Sequence, residues 1–68
     1  MKLSQLSLFI QNQPGAIAEP CRILSENNIN IYTMTLAETN DYGVLRLIVK
    51  EWQKARDVLA KAGFTANL

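Results

Sequence analysis

Sixty-eight residues allow one domain at most, because a chain near this size buries only about 60% of the surface its unfolded form exposes. Seven Lys and Arg against six Asp and Glu leave a net charge of +1, which argues against nucleic acid, whose phosphates need clustered positive charge. The absence of histidine and the presence of a single cysteine remove the commonest general base and metal ligand and any internal disulfide.

The opening Met1-Lys2-Leu3-Ser4 does not begin a signal peptide, and polar residues interrupt every apolar run before it could span a membrane. The expected setting is therefore soluble and cytoplasmic. Leu3 to Ile10 reads as a first strand, with Leu6, Leu8 and Ile10 alternating with Ser7 and Phe9. Pro14 and Gly15 break the run. Ala16 to Asn27 then carries Ile17, Cys21 and Leu24 at helical spacing, with Ile23 beside them. Pro14 suits the first helical position. Pro20, placed one turn inside, is expected to kink the helix. Asn27-Asn28 ends it, since Asn tolerates the left-handed cap position.

Ile29 to Glu38, rich in Ile, Tyr and Thr, is a second strand. Thr39 to Gly43 is a turn in which Asn40 and Asp41 suit tight hairpin geometry and Gly43 can supply a positive φ. Val44 to Lys50 is the third strand. Leu45, Leu47 and Val49 form its helix-covered face; Val44, Arg46 and Ile48 form the other. Glu51 to Ala62 is a second helix along Trp52, Ala55, Leu59 and Ala62, with Val58 beside the stripe and Gly63 as its stop. Lys50 is a poor cap, so this helix leans on packing by Trp52 and Leu59. Lys50, Lys54, Arg56 and Lys61 alternate with Glu51 and Asp57, the pattern of a solvated face. Phe64 to Leu68 begins a short fourth strand, as if the chain were cut from something longer.

The order strand, helix, strand, strand, helix, strand is the split-βαβ arrangement. The fold expected over residues 1–68 is an α+β, ferredoxin-like βαββαβ sandwich: a four-stranded antiparallel sheet with both helices on one face. Right-handed crossovers put strands one and three in the centre and two and four at the edges. The uncovered face is too apolar to be comfortable in water.

Catalytic chemistry is missing at the level of residue types. Cys21 has no second cysteine at metal-binding spacing and sits on the apolar stripe, a packing position. No carboxylate pair is set face to face by pattern, and the three glycines are too far apart for a phosphate loop. An RNA-binding sheet would need aromatics on its third strand, and "VLRLIVK" has none. A soft-metal carrier of this topology would need a Cys pair in the first loop, which reads "QNQPG". Neither a cofactor nor a catalytic residue is expected, and an enzyme is the least favoured reading.

The first strand-to-helix loop has binding chemistry. A helix start leaves backbone N–H groups free with a partial positive charge, suited to a ligand carboxylate. Gly15, lacking a side chain, admits a ligand to the backbone. Asn12 and Asn30 each offer a donor and an acceptor. The same features are also those of a plain structural turn.

The segment "LFIQNQPGAIAEPCRILSENNINI" resembles the ACT domain, a small βαββαβ module. The likeness lies in Asn12, Pro14 and Gly15 after the first strand, and in Asn30 and Ile31 opening the second. "YGVLRLIV" is similar to the family's third strand and "KARDVLAKAGF" to its second helix, so nearly the whole chain is covered. The resemblance implies a regulatory module that binds an amino acid or related small molecule. It implies pairing, either as a homodimer or with a second ACT repeat, and action on an amino-acid-metabolism enzyme. The implied ligand site is Gln11, Asn12, Gln13, Pro14, Gly15, Ala16 and Asn30. In the serine-binding type, Asn12 would contact the ligand from one domain and Asn30 from its neighbour. Gly15 stands at the position that marks ligand-competent members. Ile10 departs from members with a polar residue there, and Asn28 stands where Gly is common. The chain also resembles the first half of small proteins made of two ACT domains. The alternative is a structural ACT-like pairing module with no ligand.

Overall fold

The computed structural model describes residues 2–68. Its elements are β1 (Ser4–Gln11), α1 (Ala18–Glu26), β2 (Ile31–Glu38), β3 (Tyr42–Val49), α2 (Trp52–Lys61) and β4 (Ala66–Asn67). They form one antiparallel four-stranded sheet in the order β2-β3-β1-β4. This is the ferredoxin-like arrangement expected, with β1 and β3 central. β4 is shorter than expected: only Ala66 and Asn67 pair, with Leu8 and Ser7.

The core follows from strand alternation. Leu6, Leu8 and Ile10 of β1 lie opposite Leu47, Leu45 and Gly43 of β3, and the leucines of both strands are completely buried. Helix α1 adds Pro20, Ile23 and Leu24, and α2 adds Ala55 and Leu59. Among the described residues no polar or charged side chain is buried, so the core costs nothing in stranded hydrogen-bonding groups.

Both helices stop in the same way. Asn28 takes a left-handed φ of 59° after α1, and Gly63 takes 95° after α2. Each is followed by an apolar residue whose amide reaches back: Ile29 N–H to Leu24 O at 2.9 Å and Phe64 N–H to Leu59 O at 2.9 Å. These are Schellman turns, and the Ile29–Leu24 pairing brings two buried side chains together. The left-handed positions were readable from sequence at both Asn28 and Gly63.

Several expectations are corrected. Helix α1 begins at Ala18, not near Pro14, because Pro14 to Ile17 forms a preceding turn. Pro20 is therefore the third helical residue. It falls in the first turn, where an amide has no intrahelical acceptor, so there is no kink to explain. Its buried ring takes the core place assigned to Cys21, which is only partly buried and sits with its Sγ 3.6 Å from Met34 Sδ. That partial burial pushes the Cys21 thiol pKa up.

Gly43 has no positive φ; it is a buried β3 residue paired with Ile10 and Glu38. Its lack of a side chain serves close packing, since a Cβ there would lie 3.2 Å from Leu36 Cδ1. The hairpin turn, Thr39 to Asp41, is instead closed by Thr39 N–H donating to Tyr42 O at 2.8 Å and by the Thr39 hydroxyl donating to the same oxygen at 3.0 Å. In α2, Trp52 is only partly buried against the core and carries the Arg56 guanidinium 5.1 Å from its ring centroid. Ala62 caps α2 and is exposed, so Ala55 and Leu59 carry the packing.

Candidate functional site

The loop from β1 to α1 has two sides. On one, Asn12 turns toward the β2–β3 hairpin: its backbone N–H meets Asp41 O at 3.4 Å, and its side-chain amide donates to Thr39 O at 2.7 Å. On the other, a cleft of about 430 Å³ opens between the loop and the turn from α2 into β4. That volume lies within the range of small-molecule clefts, about 300–1,000 Å³.

The loop is built from successive turns. Gln13 N–H bonds Gln11 O at 3.0 Å, Ala16 N–H bonds Gln13 O at 3.1 Å, and Ala18 N–H bonds Gly15 O at 3.1 Å. Gly15 makes the reversal at φ 78°, and no atom lies within 4 Å of where a Cβ would stand. The backbone there is open to approach, as expected. The N-cap residue of α1 is Ile17, whose side chain cannot cap; with Ala18 N–H on Gly15 O, Cys21 N–H on Ile17 O and no N–H at Pro20, the Glu19 amide is the one left open among these first helical residues. That amide lies one turn beyond the place assigned from sequence.

Of the expected site residues, Gln11, Gln13, Pro14, Gly15 and Ala16 line the cleft, whereas Asn12 and Asn30 do not. Asn30 is exposed at the start of β2. Strands β1 and β2 both run antiparallel to β3 and so run the same way. Asn12, after the end of β1, and Asn30, before the start of β2, are thus at opposite ends of the sheet, separated along the strand direction by about 25 Å for an eight-residue strand. Within one chain they do not meet.

Sequence reasoning missed the other wall: Phe9, Glu19, Gly63 and Phe64. The signal was in the topology, because β4 next to β1 places the residues entering β4 beside the end of β1. Among the described residues Glu19 supplies the only charged side chain of the cleft. Arg22 holds it through a bidentate contact and also binds Glu26 at 2.8 Å. The hydrogen bond from Arg22 keeps the Glu19 carboxyl below its ordinary pKa, and the two carboxylates raise that of Arg22. Among the described residues no group of His, Cys, Asp or Glu could hold a metal ion, and no helix is long and apolar enough to cross a membrane.

The family model described as "ACT domain pair" matches residues 1–68. The chain belongs to the ACT domain family. Among solved structures it is similar to protein BT0572 from Bacteroides thetaiotaomicron, with a TM-score of 0.86 and 38% identity over 93% of this chain and 44% of that one. The regulatory subunit of aspartate kinase from Thermus thermophilus, in its ligand-free form, matches with a TM-score of 0.79 and 22% identity, over 98% of this chain and 54% of that one. The ACT domain from GTP pyrophosphokinase of Chlorobium tepidum gives a TM-score of 0.74 at 18% identity, over 97% of this chain and 83% of that one. The last two bear on fold alone. This ACT chain spans about half the length of the first two. No curated protein matches it. ACT domains are regulatory modules, typically ligand-binding, and that much holds for the family to which the chain belongs.

Proposed function

We propose that this ACT domain binds a small molecule, an amino acid by preference, and transmits its presence by pairing with another domain. The observation that carries the reading is the cleft at the β1–α1 loop, walled by Gln11, Gln13, Pro14, Gly15 and Ala16, with bare backbone at Gly15. An α-carboxylate suits the open Glu19 amide at the start of α1. The ammonium group has the Glu19 carboxylate and the side-chain carbonyls of Gln11 and Gln13 within the same cleft.

Pairing along β2 is the arrangement in which Asn12 and Asn30 would act together. β2 is an edge strand in which no residue is buried, so its outer N–H and C=O groups are open to another strand. A second copy added antiparallel and centred on β2 sets Ile31 opposite Glu38 and its own Asn30 opposite Thr39. Thr39 is the residue whose carbonyl holds Asn12. Reversing the strand direction thus brings the two asparagines to one end of the joined sheet.

Isothermal calorimetry of the dimeric protein against the common amino acids tests this reading. Heat of binding at millimolar ligand is expected, and silence across the set sinks the ligand claim. A ligand-free pairing module is the second reading, favoured by the side-chain amide of Asn12 being already engaged within the fold. Thermal unfolding separates the two, because ligand at 100 times its dissociation constant adds about 2.7 kcal/mol, while a ligand-free module does not respond.

A further inference from the structure

The cleft at the β1–α1 loop has charge of one sign only. Its charged side chain is Glu19, and among the described residues no Lys or Arg lines it. Arg22, one turn further along α1, lies outside the lining and is shared between Glu19 and Glu26. That sharing leaves Glu19 available. When the exposed Glu19 carboxylate turns to a ligand ammonium, Arg22 keeps both contacts to Glu26 at 2.8 Å, and no guanidinium is left alone. The hydrogen bond from Arg22 also holds Glu19 below its ordinary pKa, so the cleft is negative at neutral pH.

The remaining walls carry no charge. Phe9 is 62% exposed, Phe64 is partly buried against the core, and Ile10 and Pro14 lie in the same lining. Gln11 and Gln13 contribute amides, which donate and accept but do not neutralise. One ligand carboxylate has the open Glu19 amide. A second has only Glu19 itself, the amides and the aromatic rings. Like charges set side by side are penalised, and a carboxylate taken out of water without a partner is costly. An apolar side chain avoids both penalties and covers ring surface that is otherwise wet.

We infer that Glu19 is the specificity-determining residue of this cleft: its carboxylate takes the ligand's ammonium and excludes acidic ligands, so the amino acid bound has the α-carboxylate as its only acid and an apolar side chain of the leucine or phenylalanine kind. The inference rests on the proposed ligand function and deepens it, naming what the cleft accepts.

Calorimetry with leucine, phenylalanine, aspartate and glutamate at matched pH and ionic strength reads this selectivity. Leucine or phenylalanine is expected to bind about fivefold or more tighter than either acidic amino acid, with a gap that narrows as salt rises. Isocaproate, which is leucine without its amino group, is expected to bind about fivefold weaker than leucine. In Glu19→Gln the preference for leucine over aspartate should fall by about fivefold, and the difference between leucine and isocaproate should shrink. These are ratios within one variant, so a general loss of stability does not produce them. Should the circular dichroism spectrum of Glu19→Gln depart from wild type, the wild-type comparisons carry the test by themselves. Aspartate binding as tightly as leucine overturns the inference and leaves the proposed function standing. So does isocaproate binding as tightly as leucine, or a folded Glu19→Gln chain with unchanged ratios. No heat from any amino acid removes the proposed ligand function and this inference with it.

Discussion

Strands β1 and β2 are both eight residues long, run in the same direction and pair with the same strand, β3. Yet β1 buries Leu6, Leu8 and Ile10, while β2 leaves Met34 42% and Leu36 37% exposed on the helix-facing side. Composition does not explain this, since both strands alternate apolar residues into that side. Position does: β1 lies between β3 and β4 under the helices, and β2 lies at the edge, touched by α1 through the Cys21–Met34 contact. One strand stabilises the domain, and the other is left to whatever comes alongside.

The sharpest way to break that contrast is truncation at matched positions. Leu8→Ala is expected to cost about 2–5 kcal/mol in urea unfolding, as for other completely buried leucines. Leu36→Ala is expected to cost under about 1.5 kcal/mol, because much of its surface is already in water. Equal costs would mean that β2 is covered in the protein as it exists in solution, and pairing would be the reason. Asn12→Ala is next in size. Loss of its amide from Thr39 unties the loop that walls the cleft and is expected to weaken amino-acid binding by about 1–3 kcal/mol, read by calorimetry, with unchanged affinity showing that this bond does not hold the cleft. Gly15→Ala puts a Cβ on a φ of 78° and should lower stability by about 1 kcal/mol in the urea titration. Leu8→Ala and Gly15→Ala together should add, being in separate environments.

The smallest effect is that of acid. The Glu19 carboxyl has its pKa lowered in the folded chain by Arg22. Its contribution is therefore present above the unfolded pKa and fades as pH falls through the folded value. A nuclear magnetic resonance titration should place the Glu19 midpoint below that of an exposed glutamate, and Arg22→Ala should return it to the ordinary range. Because the group is exposed, little change in unfolding midpoint is expected from Arg22→Ala near neutral pH.

The alternation of β1 and β3 could be read from the sequence because each buried leucine sits two residues from the next, and the structure assigns Leu45, Leu47 and Val49 to the core face as expected. Helix ends could be read from Asn28 and Gly63. The start of α1 could not, because Pro14-Gly15 signals a turn without saying whether one turn or two precede the helix. That four-residue offset, about one turn, created the apparent problem at Pro20 and moved Cys21 off the core. At the candidate site, the loop was legible through its turn residues. The wall contributed by Phe64 was not, since it depends on which strand lies beside β1. Nor does any sequence pattern show that the Asn12 side chain turns toward the hairpin.

The Asn12–Thr39 hydrogen bond joins positions 27 apart in sequence, and between them lie all of α1 and β2. Closing so long a loop must wait until both elements are in place. The candidate site is therefore expected to be among the last parts of the chain to order and among the first to loosen. Amide hydrogens of the β1–α1 loop should exchange well before those of Leu45 and Leu47. A ligand held there would act as a latch, slowing the release of everything between residues 12 and 39.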